Sequence, residues 1–241
     1  MRTVQRGVAS LLVIVLAGSL AVLGIGVAAA DPPVLETYAD YSRIAERAAG
    51  QFVSHDGAPA QWAWRTDRPG QYSISWEEHE PESREHFIRS PDGNWLFLDG
   101  WSDNDTYYTQ RVTEESVGDA NCNNMHSIPS DGGRQHYVKW YVPTEGYCLD
   151  AKGIITEQST GKTFQFRHRQ AWLPPASCSN DYFADRVCIS QREAWWDDNQ
   201  HPWAQTLDRE QYIAKGLGMA FKIRQTHPSP WSGTLRNAWT Y

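Results

Sequence analysis

The chain has 241 residues, 22 Lys and Arg against 29 Asp and Glu, and a formal net charge of −7. An acidic chain without a basic run lacks the electrostatic footprint of a nucleic-acid binder and is equally unsuited to an anionic membrane surface. Charge therefore argues against nucleic-acid partners, and the length suits a single sandwich or barrel.

Met1-Arg2 and Arg6 give a positive start, no charged residue follows from Gly7 to Ala30, and the run closes on Ala28-Ala29-Ala30 before Asp31-Pro32. That is the order of basic region, apolar region and small-residue cleavage site. Residues 1–30 read as a bacterial secretory signal peptide and residues 31–241 as one exported β-rich domain. The competing reading retains the segment as an uncleaved anchor, since about 20 apolar residues span a bilayer. The segment has no Cys to carry a lipid, Arg2 and Arg6 are not adjacent, and no later stretch is long and apolar enough to span. The expected location is extracellular, with no membrane contact apart from the signal segment.

Asp31-Pro32-Pro33 is followed by Val34, Leu35, Tyr38, Tyr41, Ile44, Ala45 and Ala48 at three- and four-residue spacing, which predicts an N-terminal helix over 33–49, stopped by Gly50. The period then changes to two. Tyr72, Ile74 and Trp76 alternate with polar residues in a half-buried strand, and Glu85 to Arg89 is a short candidate. Pro91-Asp92-Gly93-Asn94 is a turn, Trp95 to Leu98 then reads as a strand buried on both faces, and the two runs form a hairpin. Thr106 to Val112 is another strand. Residues 113–134 are rich in Asn, Ser, Gly and Asp and read as a loop stapled by Cys122.

Strands follow at 135–142 and at 147–157 with 162–172, the last two forming a hairpin about Ser159-Thr160-Gly161. Tyr182 to Trp195 holds one or two more. Thr206-Leu207-Asp208 with Gln211 predicts a short late helix to Lys215; Met219, Phe221 and Ile223 begin a strand, and 231–241 closes the sheet. Many short strands with frequent turns define the class: all-β, an antiparallel sandwich, jelly roll or barrel, with an N-terminal helix and one short late helix.

Cys122, Cys148, Cys178 and Cys188 all lie in the exported part, and an even count in an oxidising compartment reads as two disulfides. Three pairings are compatible with the sequence, of which nearest-neighbour Cys122–Cys148 and Cys178–Cys188 is favoured. Zinc is the competing use, without the Cys-x-x-Cys spacing that would support it.

Twelve Trp and eleven Tyr serve either as core or as ligand-facing surface. Signatures of the common hydrolases, P-loops and dinucleotide sites are absent. Taken as partner strands, 135–142 and 162–172 would join Tyr137, Lys139 and Tyr141 to Gln165, Arg167 and Arg169. Rings stack on sugars and Arg forks take carboxylate or sulfate bidentately, so this patch is expected to bind an acidic glycan. The alternative is a solvated outer face. His168 and His136, with Tyr137, are candidate acid–base groups of a polysaccharide lyase, or core histidines satisfied locally.

Asp99, Asp103 and Asp105 could hold Ca²⁺ in their turn, or simply be hydrated; no other cofactor is implied. Trp195-Trp196-Asp197-Asp198-Asn199 is an aromatic–acidic corner, either a Trp-anchored loop or a binding rim. The expectation is a secreted protein that binds an extracellular polysaccharide, with cleavage by a lyase or glycoside hydrolase left open. Its rival is a non-catalytic envelope or interaction protein whose aromatics are core.

Overall fold

The structure, a computed structural model, describes residues 34–42, 48–54, 59–68, 70–77, 83–103, 105–199, 202–217, 220–228 and 230–240. The leader expected at 1–30 lies outside them. Among the described residues, one short helix, α1 (Tyr38–Ser42), precedes fourteen strands. These are β1 (Ala48–Ser54), β2 (Pro59–Arg68), β3 (Gln71–Glu77), β4 (Ser83–Arg89), β5 (Trp95–Asp103), β6 (Thr106–Asp119) and β7 (His126–Ser127). Then come β8 (Gln135–Lys139), β9 (Tyr147–Glu157), β10 (Thr163–Asn180), β11 (Phe183–Asp197), β12 (Ala204–Ala214), β13 (Ala220–His227) and β14 (Trp231–Thr240).

Every pairing is antiparallel, and the ladder runs β6-β9-β10-β11-β12-β13-β14-β1-β2-β3-β4-β5. Gly100 to Asp103 of β5 then pair with Thr106 to Thr109 of β6, which returns the ladder to its start. The all-β antiparallel expectation holds, and the return of the ladder through β5 and β6 gives it a barrel-like form. Beyond that short contact β5 and β6 part, and β8 fills the gap. It pairs with Trp95 to Leu98, while the His136 amide donates to Glu115 Oε1 of β6. The small strand β7 pairs with the far end of β6.

Alternation decides what faces inward. Along β10, Phe164, Phe166, His168, Gln170 and Trp172 are buried, whereas Gln165, Arg167 and Arg169 look out. Outward positions elsewhere, such as Lys152, Arg192, Lys222 and Arg224, are charged and exposed, the reverse of a lipid-facing band. Inside, one apolar cluster gathers Ile74, Phe87, Leu96, Tyr137, Leu149, Trp172, Ile213 and Phe221, and a second gathers Val112, Ile155, Phe164 and Phe166. α1 packs Tyr38 edge-on to Trp172 at 5.9 Å, and its start is capped by Asp40 Oδ2, which accepts from the Thr37 amide at 2.6 Å.

Several sequence expectations give way. Of the helix expected over 33–49, Tyr38–Ser42 is helical, residues 43–47 lie outside the described residues, and Ala48 and Ala49 belong to β1, which is bonded to both β14 and β2. The late helix at 206–215 is strand β12, with ladders to β11 and β13 that satisfy its backbone more completely than a two-turn helix would. The hairpin about Pro91 to Asn94 is present as β4–β5, and the run 72–77 pairs with the other side of β4. Residues 113–119 continue β6 rather than opening a loop. The hairpin of 147–157 with 162–172 is present as β9–β10. Both nearest-neighbour disulfides are present, Cys122–Cys148 and Cys178–Cys188.

Candidate functional site in the barrel mouth

Residues from five strands converge on a cavity of about 250 Å³ at one end of the barrel. β4 gives Ser83 and Glu85, β5 gives Leu98 and Trp101, and β8 gives Tyr137. β11 gives Glu193, Trp195 and Asp197, and the β12 side supplies Thr206 and Leu207. Trp101 and Trp195 meet at 5.7 Å and 87°, forming a corner. Each is braced from behind, Trp101 stacked on Tyr108 and Trp195 on Phe166, so the corner is held rigidly.

Beneath the corner lies a buried ionic array. Arg209 Nε donates to Glu193 Oε2 at 2.9 Å, with Nη2 in ion-pair contact with the same oxygen at 2.9 Å, and Nη2 reaches across the lumen to Glu85 Oε1 at 3.5 Å. Glu193 Oε1 stands 3.0 Å from His168 Nε2, although that nitrogen has no hydrogen bond of good geometry. The other ring nitrogen of His168 lies 2.6 Å from Gln135 Nε2. Deeper still, Gln170 Oε1 accepts from Gln191 Nε2 at 2.7 Å and from Trp172 Nε1 at 3.3 Å.

The two carboxyls are driven apart in acidity. Desolvation raises Glu85 above the usual carboxylate range, against a weaker pull from Arg209. Desolvation also acts on Glu193, but Arg209 and His168 outweigh it and hold that carboxyl below its ordinary value. Burial, with Glu193 and Glu85 nearby, pushes the Tyr137 phenol well up, so it stays a neutral hydroxyl.

The patch expected on 135–142 and 162–172 is divided by the fold. β8 and β10 are not neighbours, because β8 pairs with β5 and β10 with β9 and β11. Tyr137 points inward, its ring 6.3 Å from that of His168. Lys139 lies over Tyr147 at 4.7 Å, Tyr141 is exposed beyond the end of β8, and Gln165 is on the outer wall. Arg167 and Arg169 remain together: both bind Asp150, each placing Nη2 at 2.7 Å from Oδ2. They line an outer groove of about 740 Å³ with Lys152, Glu114, Ser127 and Ser130.

Of the acid–base candidates, His168 and Tyr137 come together inside the barrel. His136 is separate, 2.7 Å from Glu115 Oε2 and packed edge-on to Trp95 and Phe97. Asp99 pairs with Arg134 at 3.1 Å, while Asp103 and Asp105 are exposed at the β5–β6 turn. No cluster of three or more His, Cys, Asp or Glu suited to a metal occurs among the described residues. Within the aromatic–acidic corner, Trp195 and Asp197 line the cavity. Glu85, Glu193, Arg209 and Trp101 are the residues that sequence reasoning missed. Their one local signal is the alternation Leu207, Arg209, Gln211, Ile213, legible only if a strand interior is allowed to be polar.

No family model and no curated protein matches the chain. It is similar to the crystal structure of a "putative lipoprotein" from Parabacteroides distasonis, with TM-score 0.34 and 7% identity over 80% of this chain and 95% of that one. A likeness at that level carries no argument about function.

Proposed function

We propose that this protein is an exported glycan-binding barrel in which one saccharide unit sits in the mouth cavity. Export is supported by the leader sequence and by the two disulfides, which belong to an oxidising compartment. The observation that carries the binding reading is the Trp101–Trp195 corner set above carboxyl groups. Indole faces stack on sugar rings, and carboxylates accept from ring hydroxyls. A volume of about 250 Å³ holds a single unit rather than a long chain. Three acids in the lining disfavour an acidic unit there, so any anionic substituent belongs in the outer groove beside Arg167 and Arg169.

The test is a glycan array on the purified, oxidised protein, followed by calorimetry on any hit. Replacing Trp101 by Ala should weaken binding about tenfold, in line with about 1.4 kcal/mol for a lost stacking contact. Unchanged affinity in Trp101→Ala and in Trp195→Ala would reject the cavity. Loss of binding in Arg167→Ala with Arg169→Ala alone would move the site to the outer groove.

A further inference from the structure

We infer that the mouth cavity selects a ligand bearing a positively charged amine, held among Trp101, Trp195 and Tyr137 with Glu85 as its counter-charge. The inference rests on the glycan reading and names an amino sugar as the preferred unit.

The charge of the lining is one-sided. Glu85, Glu193 and Asp197 face the cavity, and among the described residues no Lys, Arg or His does. Arg209 lies behind the wall and is committed to Glu193 through one hydrogen bond from Nε and an ion-pair contact from Nη2, both at 2.9 Å. His168, also behind the wall, faces the same carboxylate. Asp197 is engaged by the Thr206 hydroxyl at 2.8 Å and the Asn199 amide at 3.0 Å. That leaves Glu85 as the underused charge, since among the described residues its one ion pair is the 3.5 Å contact to Arg209.

Accessibility agrees. The Glu85 side chain keeps 27% exposure, against 5% for Glu193 and 12% for Arg209. A ligand entering the mouth therefore meets Glu85 before the other two.

The walls point the same way. A cation over the face of Trp or Tyr is attracted by the ring quadrupole, and more strongly once desolvated. Three such rings with a carboxylate at their base complement an ammonium group. A neutral sugar in the same place gains stacking and hydroxyl hydrogen bonds without a charge pair, and an anion is repelled. Desolvation, with Glu193 adding to it, makes Glu85 hard to ionise, and an arriving cation favours its charged form.

Calorimetry at pH 7 and fixed ionic strength would compare tetrasaccharides of glucosamine, N-acetylglucosamine and glucose, together with tetramethylammonium chloride. The glucosamine oligomer should bind at least tenfold more tightly than the other two sugars. Glu85→Gln should erase that preference, and Glu85→Asp, which keeps the charge, should restore most of it. N-acetylglucosamine or glucose oligomers binding as tightly as glucosamine would overturn the inference and leave the glycan reading standing. Tetramethylammonium bound with no sugar bound would support the ammonium site and remove the glycan. Silence from all four probes would remove both.

Discussion

Asp150 is the best test of a single side chain. Its Oδ2 accepts from Arg167 Nη2 and from both Nε and Nη2 of Arg169, while Oδ1 takes Arg167 Nε at 2.9 Å. Desolvation opposes ionisation, but these bonds outweigh it and hold the carboxyl below the ordinary range. A folded pKa below the unfolded one means that the stability it contributes is complete above the unfolded value of about 3.9 and is lost as pH falls through the folded value. Asp150→Asn should therefore cost about 1–2 kcal/mol at pH 7, a modest figure because both guanidinium groups are part-exposed. The gap in Tm between wild type and variant, followed by circular dichroism, should close as the pH drops below about 4. A gap that persists unchanged to pH 2 would mean that the pairing does not supply it.

Among the elements, β9 has the strictest packing requirement. Gly153 lies opposite Val112 on β6 and Phe166 on β10. A Cβ there would meet the Arg111 carbonyl oxygen at 2.1 Å and Phe166 Cε1 at 2.8 Å, and the first of these is backbone that cannot rotate aside. Gly153→Ala is expected to destabilise by about 2–3 kcal/mol through overpacking, read as a lower urea midpoint. An unchanged midpoint would show that the β6 bulge between Val112 and Glu114 absorbs the methyl.

The same strands explain what could be read in advance. β3, β9 and β10 declare themselves because their inner residues are apolar and their outer ones polar, as in Phe164, Phe166 and Trp172 against Gln165 and Arg167. β12 does not, because its inner face carries Arg209 and Gln211 and its outer face carries Tyr212. Local disulfides and the 147–172 hairpin were legible because their partners are near in sequence. The cavity was not, because Glu85 and Arg209 are 124 residues apart and only the strand order brings them together.

At the scale of the whole molecule, the barrel depends on one joint between distant ends of the chain. β14 bonds to β13 on one side and to β1 on the other, from Ala48↔Thr240 to Ser54↔Gly233. Removing it would leave β1 and β13 as unpaired edges, which are templates for adding further strands. A chain ending before Trp231 should therefore elute from a sizing column as large aggregates or fail to remain soluble. The disulfides act differently. On the chain-entropy account Cys122–Cys148, with its separation of 26, contributes about 3.5 kcal/mol, and Cys178–Cys188, with 10, about 2.5 kcal/mol. Neither bond lies in the closing joint. Cys178→Ser with Cys188→Ser should thus lower Tm while elution volume and near-ultraviolet circular dichroism stay those of the wild type. A monomeric, soluble chain lacking β14 would show that the ring does not need its last strand.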